Sequence, residues 1–415
     1  MPRTTFLLLI ALSALGVRLG AVAATRGLQA PPSPRHGADG IEFDALGLRL
    51  AERGEYALPG SGPTSFRSPG LPFLLAGIDA GLGHSYPAAY VAFSLLGAAS
   101  CLLTYALVRE LVDEPTARVA ASLCVVYVPH IYFATRFDSE NLFVPALAAA
   151  ALLVIRSFRA GDLRSIAAGG ALLGFASLVR PFAILIAPAW VAVVLLDRAR
   201  RPWRRVLAAM LLASSFAAVI TPWTVRNYAA HGKLVLIATN GGSTFYGSNN
   251  DLVSADLPRL GTWVATNHLP GRDRVESTPD EVSHDKCEWA LGWDWVRDHP
   301  RRLPRLLMAK FVRLWLPDID SRNRSYILAQ FATYTPFLAL IAAGWVKASR
   351  RTDYDSPPWL VLRVTLLATV ITALVFWGSP RFRDANTPAL MTYAAVGLRL
   401  ILDHLKLPLI QPIKE

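Results

Sequence analysis

The stretch TRFDSENLFVPALAAAALLVIRSFR, residues 135–159, sets the fold class of this chain. Its apolar centre is close to the roughly 20 residues that a helix needs to cross a bilayer. Charged residues stand on both sides of that centre, with Arg136, Asp138 and Glu140 before it and Arg156 near its end. A charge near the apolar slab costs about 3 kcal/mol on insertion scales, so it usually has a function there. The stretch predicts a membrane-spanning helix between two charged connections.

The composition agrees with a protein that crosses the membrane several times. The chain has 415 residues, of which 53% are hydrophobic and 17% charged. Its net charge of +12 is scattered between apolar runs and forms no continuous stripe, which favours membrane flanks over nucleic acid. Cys101 and Cys124 lie in apolar runs and Cys287 stands alone, so the sequence indicates no metal-ligand or disulfide framework.

Apolar runs of suitable length predict about ten spans. They lie near residues 5–24, 87–108, 115–134, 141–157, 165–179, 181–197, 205–222, 326–346, 358–378 and 387–403. We expect the first to be a retained helix and not a cleaved signal peptide, because Arg18 interrupts its apolar run. The predicted fold class is an all-α polytopic membrane protein, a helical bundle whose two extracytoplasmic loops carry interfacial helices.

Basic joints between spans predict the orientation, because short cytoplasmic loops are rich in arginine and lysine. The joints containing Arg156, Arg200 and Arg350 fall on one side, which we assign to the cytoplasm. This orientation places two long polar loops on the outer side of the membrane. The chain then divides into three predicted regions. These are residues 1–222, an N-terminal catalytic module with the first outer loop at 25–86; residues 223–325, an extracytoplasmic segment; and residues 326–415, the C-terminal transmembrane helices. Inside the loops we expect helices at 39–53 and 280–298, an interfacial segment at 69–82 and an extended run at 233–238.

Three short outward-facing connections carry arginine beside acid or proline. Arg136 accompanies Asp138 and Glu140, Arg180 precedes Pro181, and a third connection holds Arg381 and Arg383. In an extended segment the last two would point the same way. Guanidinium groups match phosphate oxygens in a bidentate manner. Taken alone, each arginine could extend its side chain to the lipid headgroups, and each acid could form an ion pair that serves only the end of a helix. Taken together, they favour a bound anion with a nearby base.

This combination suits glycosyl transfer from a lipid phosphate. A phosphate leaving group is a weak base, so it needs cationic stabilisation and no proton. The acceptor hydroxyl is a poor nucleophile and needs a carboxylate within hydrogen-bonding reach.

The motifs resemble, in order along nearly the whole chain, those of polytopic glycosyltransferases with the GT-C fold. That superfamily, similar to glycosyltransferase family 39, includes protein O-mannosyltransferases and the aminoarabinose transferases that act on lipid A. The matching elements are Asp39…Glu42-Phe43, Leu50-Ala51-Glu52-Arg53-Gly54-Glu55-Tyr56, Phe66-Arg67-Ser68-Pro69-Gly70-Leu71-Pro72, Ser139-Glu140, Leu178-Val179-Arg180-Pro181, Pro222-Trp223-Thr224-Val225-Arg226-Asn227-Tyr228, Thr239-Asn240-Gly241-Gly242 and Arg381-Phe382-Arg383.

The resemblance implies a set of site residues. Asp39 is expected as the first-loop catalytic acid, with Asp138 and Glu140 as the second acidic site. The residues expected to contact the lipid-linked phosphate and the rest of the substrates are Arg67, Arg180, Arg381, Arg383, Glu42, Arg136, Arg226, Asn227 and Asn240. The implied donor is a polyprenyl-phosphate sugar, transferred with inversion to a glycan, lipid or protein acceptor at the outer face of a bacterial inner membrane. Membrane lipids are expected partners and nucleic acid is not.

Two positions depart from the family pattern. Gly40 follows Asp39 where protein mannosyltransferases tend to have glutamate, and the next acid here is Glu42. Phe66 stands where the aminoarabinose enzymes have a glutamate that can take part in metal binding, so the pattern predicts no definite cofactor and leaves a divalent metal open. We expect acceptor recognition in the two outer loops or in a partner.

Two functions without chemistry remain open from the sequence. One is a transporter or flippase for lipid-linked sugars, and the other is a catalytically silent subunit that binds glycolipids. The motifs encode neither the sugar nor the oligomeric state.

Overall fold

The computed structural model describes residues 1–34, 38–317 and 324–405, and within these ranges the regular structure is helical. The first helices are α1 Arg3–Thr25, α2 Ala38–Arg53, α3 Gly70–Leu82, α4 Tyr86–Leu111, α5 Glu114–Val126, α6 Val128–Phe133, α7 Glu140–Ala160, α8 Leu163–Val179, α9 Ile186–Leu195 and α10 Pro202–His231. The remaining ones are α11 Gly241–Gly247, α12 Asp251–Ala255, α13 Arg272–Glu276, α14 Glu281–Asp298, α15 Leu303–Trp315, α16 Arg324–Ala348, α17 Pro357–Val375, α18 Pro380–Asp384 and α19 Thr387–His404. The all-α prediction is confirmed.

Six helices among the described residues are long and apolar enough to cross a membrane, namely α1, α4, α7, α10, α16 and α17. Several of the ten predicted spans form helices that are shorter than these six. The apolar run at 115–134 breaks at Tyr127 into α5 and α6, with Pro129 in the first turn of α6 where no N–H is needed. The run at 181–197 starts as a 3₁₀ turn before α9. Span counting from hydropathy therefore merged short helices that proline separates.

The helix α7 is the most enclosed of the six, because 78% of the residues in its 18-residue apolar stretch are buried inside the protein. Close packing around it depends on glycine. A methyl group on Gly169 of α8 would lie 2.6 Å from a methyl carbon of Val154 on α7, and one on Gly170 would lie 2.4 Å from the carbonyl oxygen of Leu212 on α10. In a membrane, where helices gain little from apolar burial, such contacts allow backbones to approach. The helix α8 is thus held between α7 and α10.

Two of the predicted cytoplasmic joints meet at the C-terminal end of α7. Arg200, from the joint after α9, donates to the hydroxyl of Ser157 at 3.2 Å and pairs with Asp197 at 2.8 Å. Arg156 pairs with Glu110 of α4 at 3.0 Å. Glu140 lies at the opposite end of the same helix, which is about 31 Å long at 1.5 Å per residue. The basic joints and the acidic connection are therefore separated by the length of one span.

The first outer loop follows its prediction. The helix α2 covers the predicted 39–53 and ends at Gly54, whose φ of 67° is favourable for glycine. The predicted interfacial segment at 69–82 is α3. The two helices touch closely, since a Cβ on Gly47 would lie 2.7 Å from that of Leu75. This pairing fixes where the first turn of α2 lies.

The second outer loop contains two helical segments that the sequence did not predict. The helix α10 continues past Pro222 to His231, so the segment predicted to start at residue 223 begins inside a helix. The run at 233–238 pairs with no strand in the described part of the chain. The helix at 280–298 is confirmed as α14. Sequence reasoning missed α15, whose Leu306 and Leu314 face the protein while Met308 and Phe311 are exposed. Its outward apolar face suits contact with lipid.

Candidate active site

The first two turns of α2 carry two of the predicted acids, and both contact one arginine. Asp39 Oδ1 lies 2.9 Å from a terminal nitrogen of Arg67, and Glu42 Oε2 lies 2.5 Å from Arg67 Nε. The spacing of three residues puts both carboxylates on one face of the helix. Tyr56 fixes the backbone of Arg67 by donating to its carbonyl oxygen at 2.9 Å.

Arg381 joins this pair to the second acidic group. From α18 it donates two hydrogen bonds to Glu140, at 2.8 and 3.0 Å, in the bidentate geometry that favours arginine. The same guanidinium lies 3.6 Å from Asp138 and 3.7 Å from Asp39. Carboxylates from the first outer loop and from the connection before α7 therefore meet at one arginine from near the end of the chain.

Arg180 approaches Glu140 from another side. It is the C-terminal cap of α8 and has an extended backbone (φ −137°, ψ 108°), as expected for a residue before proline. Its NH1 pairs with Glu140 Oε1, and its guanidinium lies 5.4 Å from the ring centre of Phe182 and 5.5 Å from that of Phe382. Glu140 is fully buried, and two guanidinium groups, those of Arg180 and Arg381, share its carboxylate.

Asp138 pairs with Arg136 at 2.9 Å. Burial raises the pKa of this aspartate above its ordinary value, and the charges of Arg136 and Arg381 oppose that shift. The pKa of Arg381 is raised well above its usual value because the effect of Glu140 and the neighbouring carboxylates exceeds that of burial. The arginines of the cluster thus remain cationic.

The cluster is balanced in charge and graded in exposure. Four carboxylates, Asp39, Glu42, Asp138 and Glu140, face four guanidiniums, Arg67, Arg136, Arg180 and Arg381. The exposed fraction of the side chain is 37% for Asp39, 5% for Asp138 and 0% for Glu140. Asp39 is therefore the most accessible carboxylate of the four, and Glu140 is in a position to orient arginines.

The departure at Gly40 has a packing explanation. A Cβ on this residue would lie 3.1 Å from Cβ of Phe137, in the connection that carries Asp138. Glycine lets the first turn of α2 approach that connection. A small adjoining cleft, open to solvent, is lined by Arg26, Pro32, Ser33, Gly40, Arg136, Phe137 and Asp138.

A divalent metal would compete with arginine here. Asp39 and Glu42 are the acids that such an ion would use, and Arg67 contacts both. Among the described residues, the acids of the cluster do not bring three ligand atoms into mutual reach.

Arg383 does not join the cluster, which corrects the expectation that it points the same way as Arg381. Residues 380–384 form the helix α18 and not an extended segment, so side chains two residues apart diverge. Arg383 is 1% exposed and bonds both oxygens of Asp384, at 2.8 and 3.1 Å. It also donates to the carbonyls of Leu314 and Leu316 at the end of α15. Its contacts hold α18 in place.

Three further predicted residues lie in structural contacts away from the cluster. Arg226 donates to the carbonyls of Thr64 and Tyr56, at 2.6 and 2.8 Å, and braces the first outer loop. Asn227 is fully buried and donates to the carbonyl of Ile237 at 3.1 Å. Asn240 caps α11 with its backbone carbonyl.

Sequence reasoning missed Glu281, which ties the two outer loops together. Its carboxylate accepts from the hydroxyls of Thr64 and Thr239 and from the backbone N–H of Ser65. The only signal was its position in the first turn of a predicted helix, which many solvated acids share.

Comparison with known proteins gives the fold and a partial family match. Residues 66–225 match the family model described as dolichyl-phosphate-mannose-protein mannosyltransferase. The oligosaccharyltransferase AglB of Archaeoglobus fulgidus, solved with an inhibitory peptide and a dolichol-phosphate, superimposes with a TM-score of 0.58 at 15% identity. The match covers 97% of this chain and 51% of that one. This chain has the GT-C fold.

Two further structures were compared with this chain. The same archaeal enzyme in complex with zinc and sulfate gives a TM-score of 0.57 at 15% identity, over 96% of this chain and 49% of that one. ArnT from Cupriavidus metallidurans, bound to undecaprenyl phosphate, gives 0.49 at 14% identity, over 97% and 80%. The chain thus spans about half the length of the oligosaccharyltransferase. A search of curated proteins finds no match to this chain. The resemblance inferred from the motifs is confirmed in the fold and in the family model that residues 66–225 match.

Proposed function

We propose that this protein is a membrane glycosyltransferase that moves a sugar from a polyprenyl phosphate to an acceptor hydroxyl at the extracytoplasmic face of a bacterial inner membrane. The observation that carries the proposal is the cluster of four carboxylates and four guanidiniums at one end of the helical bundle. The family-model match and the GT-C fold support it.

The arginines stabilise the leaving phosphate. The Nε and NH2 groups of Arg381 are engaged by Glu140, while its NH1 lies 3.7 Å from Asp39, beyond hydrogen-bond length. That group can donate to a phosphate oxygen placed beside it while the bonds to Glu140 keep the guanidinium oriented. Arg67 stands on the other side of Asp39 at 2.9 Å and supplies a second cation. Fixed donors of this kind stabilise charge that develops on the leaving group.

Asp39 is the general base in this proposal. It is the most exposed acid of the cluster, and two guanidiniums hold it beside the place where the phosphate would lie. The carboxylate accepts the proton of the acceptor hydroxyl while the oxygen of that hydroxyl attacks the anomeric carbon and the phosphate departs. One displacement without a covalent intermediate inverts the sugar configuration. Asp138 and Glu140 act as positioning residues, because they are buried against arginines.

The test is transfer from a polyprenyl-phosphate sugar in reconstituted vesicles. Asp39→Asn keeps the shape of the side chain and removes its basicity, so turnover should fall by at least about a hundredfold, the usual range for a lost general base. Glu52→Gln, at an exposed acid on the same helix, is the matched control and should leave the rate unchanged. Retained turnover in a folded Asp39→Asn protein would remove it as the base. Donor binding by the wild type without any glycosylated product would favour a non-catalytic carrier instead.

A further inference from the structure

A second polar cluster lies inside the helical bundle, separate from the proposed active site. Arg18 of α1, Cys101 of α4, Cys124 of α5 and His130 of α6 converge there, and each is at most 4% exposed. One ligand atom from each cysteine and from the histidine lies within 4.8 Å of the others. These residues form no short spacing motif, because Cys101 lies in the predicted span at 87–108 whereas Cys124 and His130 lie in the next one, at 115–134.

The donor spacing fits a metal ion. Cys124 Sγ lies 3.7 Å from His130 Nδ1. Metal–sulfur and metal–nitrogen bonds of about 2.3 and 2.1 Å, at trigonal or tetrahedral angles, place two donors about 3.6 to 3.8 Å apart. An ion therefore fits between these atoms with little movement of the helices.

The charge of Arg18 is not balanced within the cluster. The arginine is fully buried, donates to the carbonyl of Ala14 at 3.0 Å, and places NH2 2.9 Å from His130 Nδ1 and 3.7 Å from Cys101 Sγ. Its Nε has no hydrogen-bond partner, and no carboxylate of the described ranges forms an ion pair with it. A buried charge without a counter-ion is costly. With both thiols and the imidazole neutral, the site is one negative charge short.

We propose that Cys101, Cys124 and His130 bind one soft monovalent metal ion, with Cu(I) as the chemical match. Binding releases the two thiol protons to solvent and forms two sulfur–metal bonds and one nitrogen–metal bond. Two thiolates and Cu(I) carry a net charge of −1, which balances the +1 of Arg18. Zn²⁺ would leave the assembly positive and requires a fourth ligand, whereas soft sulfur donors select Cu(I). On binding, Nδ1 turns from Arg18 to the ion, and the guanidinium donates to the new thiolates.

The test uses the full chain in detergent micelles, reduced, stripped of metal and kept anaerobic. We would dialyse it against Cu(I) buffered by bicinchoninate and measure bound copper by mass spectrometry. The wild type should retain one equivalent, and Cys101→Ser and Cys124→Ser should retain none. Cys287→Ser is the control, because it changes the remaining cysteine, which lies on α14 and outside the cluster. This variant should bind copper as the wild type does. Arg18→Met should weaken Cu(I) binding at least tenfold.

A second readout needs no variant. Cu(I) should raise the melting temperature of the wild-type protein, because a ligand that binds only the folded state stabilises it. Absence of that shift would overturn the proposal. So would equal copper in the wild type and in a Cys101→Ser/Cys124→Ser protein. Retention of Zn²⁺ in preference to Cu(I) would overturn the charge argument. Sugar transfer does not enter either readout, so the result is independent of the proposed function.

Discussion

Glu140→Gln removes the one negative charge that two guanidinium groups share. Glu140 is fully buried, and its partners Arg180 and Arg381 are 12% and 32% exposed at their side chains. Breaking a buried ion pair by removing one partner costs about 3 to 5 kcal/mol, because the remaining charge stays desolvated. Arg381 keeps a contact with Asp138 at 3.6 Å, so we expect a loss near the lower end, about 3 kcal/mol of unfolding free energy.

The chain offers a matched control at the other end of α7. Glu110 also contacts two arginines, Arg156 at 3.0 Å and Arg159 at 3.4 Å, but their side chains are 41% and 59% exposed. Ion pairs of this kind contribute about 0 to 1 kcal/mol. Glu110→Gln therefore makes the same chemical change in the same type of pairing, with solvent available to the arginines that remain.

The assay is denaturant unfolding in mixed micelles, with both variants and a Glu140→Gln/Arg180→Gln double variant. The double variant should recover part of the loss, with a coupling of about 1 kcal/mol or more, because it removes one of the unpaired cations. If Glu140→Gln and Glu110→Gln lose the same free energy, burial does not decide the strength of these pairs. Glu140 would then not be what holds Arg381 in place.

Three further predictions concern the donor, the outer loop and the helix packing. Arg381→Ala should raise the donor concentration needed for half-maximal rate by about 10- to 100-fold, the equivalent of one or two charged hydrogen bonds. Arg205→Ala, at the basic joint, is the control and should leave that concentration unchanged. Equal effects of the two substitutions in a donor titration would contradict the phosphate contact. Burial raises the pKa of Asp285 to about 7, so the wild type should lose stability as the pH rises from about 4 to 7. The melting temperature of Asp285→Asn should exceed that of the wild type at pH 8 and converge with it near pH 4, and Asp294→Asn, an exposed acid on the same helix, should show no such trend. Gly170→Leu should prevent α8 from approaching α10 and lower the melting temperature by several degrees, which an unchanged melting curve would refute.

The sequence was sufficient to predict the backbone where neighbouring residues alone determine the conformation of a short segment. The helix α2 was predictable to one residue from its apolar spacing and the glycine that ends it. The break at Arg180 followed from Pro181, which disfavours helical backbone in the residue before it. Proline inside an apolar run was a weaker guide, because Pro222 is accommodated within α10 while Pro129 begins a new helix.

Side-chain direction was not predictable at the site. Arg381 and Arg383 are two residues apart, and whether they share a face depends on whether their segment is extended or helical. The contacts of Arg383 with the end of α15 accompany the helical form, and α15 itself was not predicted. Arg226 and Asn227 carry polar groups typical of substrate contacts, yet their donors are engaged by carbonyls of neighbouring loops.

By itself the sequence determined that this chain crosses a membrane, where its basic joints lie and which side chains could bind a phosphate, because hydropathy and charge are properties of each segment alone. Tertiary structure decided which of those side chains meet. It placed Glu140 between Arg180 and Arg381, left Asp39 the most accessible of the four acids, and turned Arg383 away. It also gathered two cysteines and a histidine around a buried arginine. Such contacts depend on how helices pack across long sequence separations, and no local pattern records that packing.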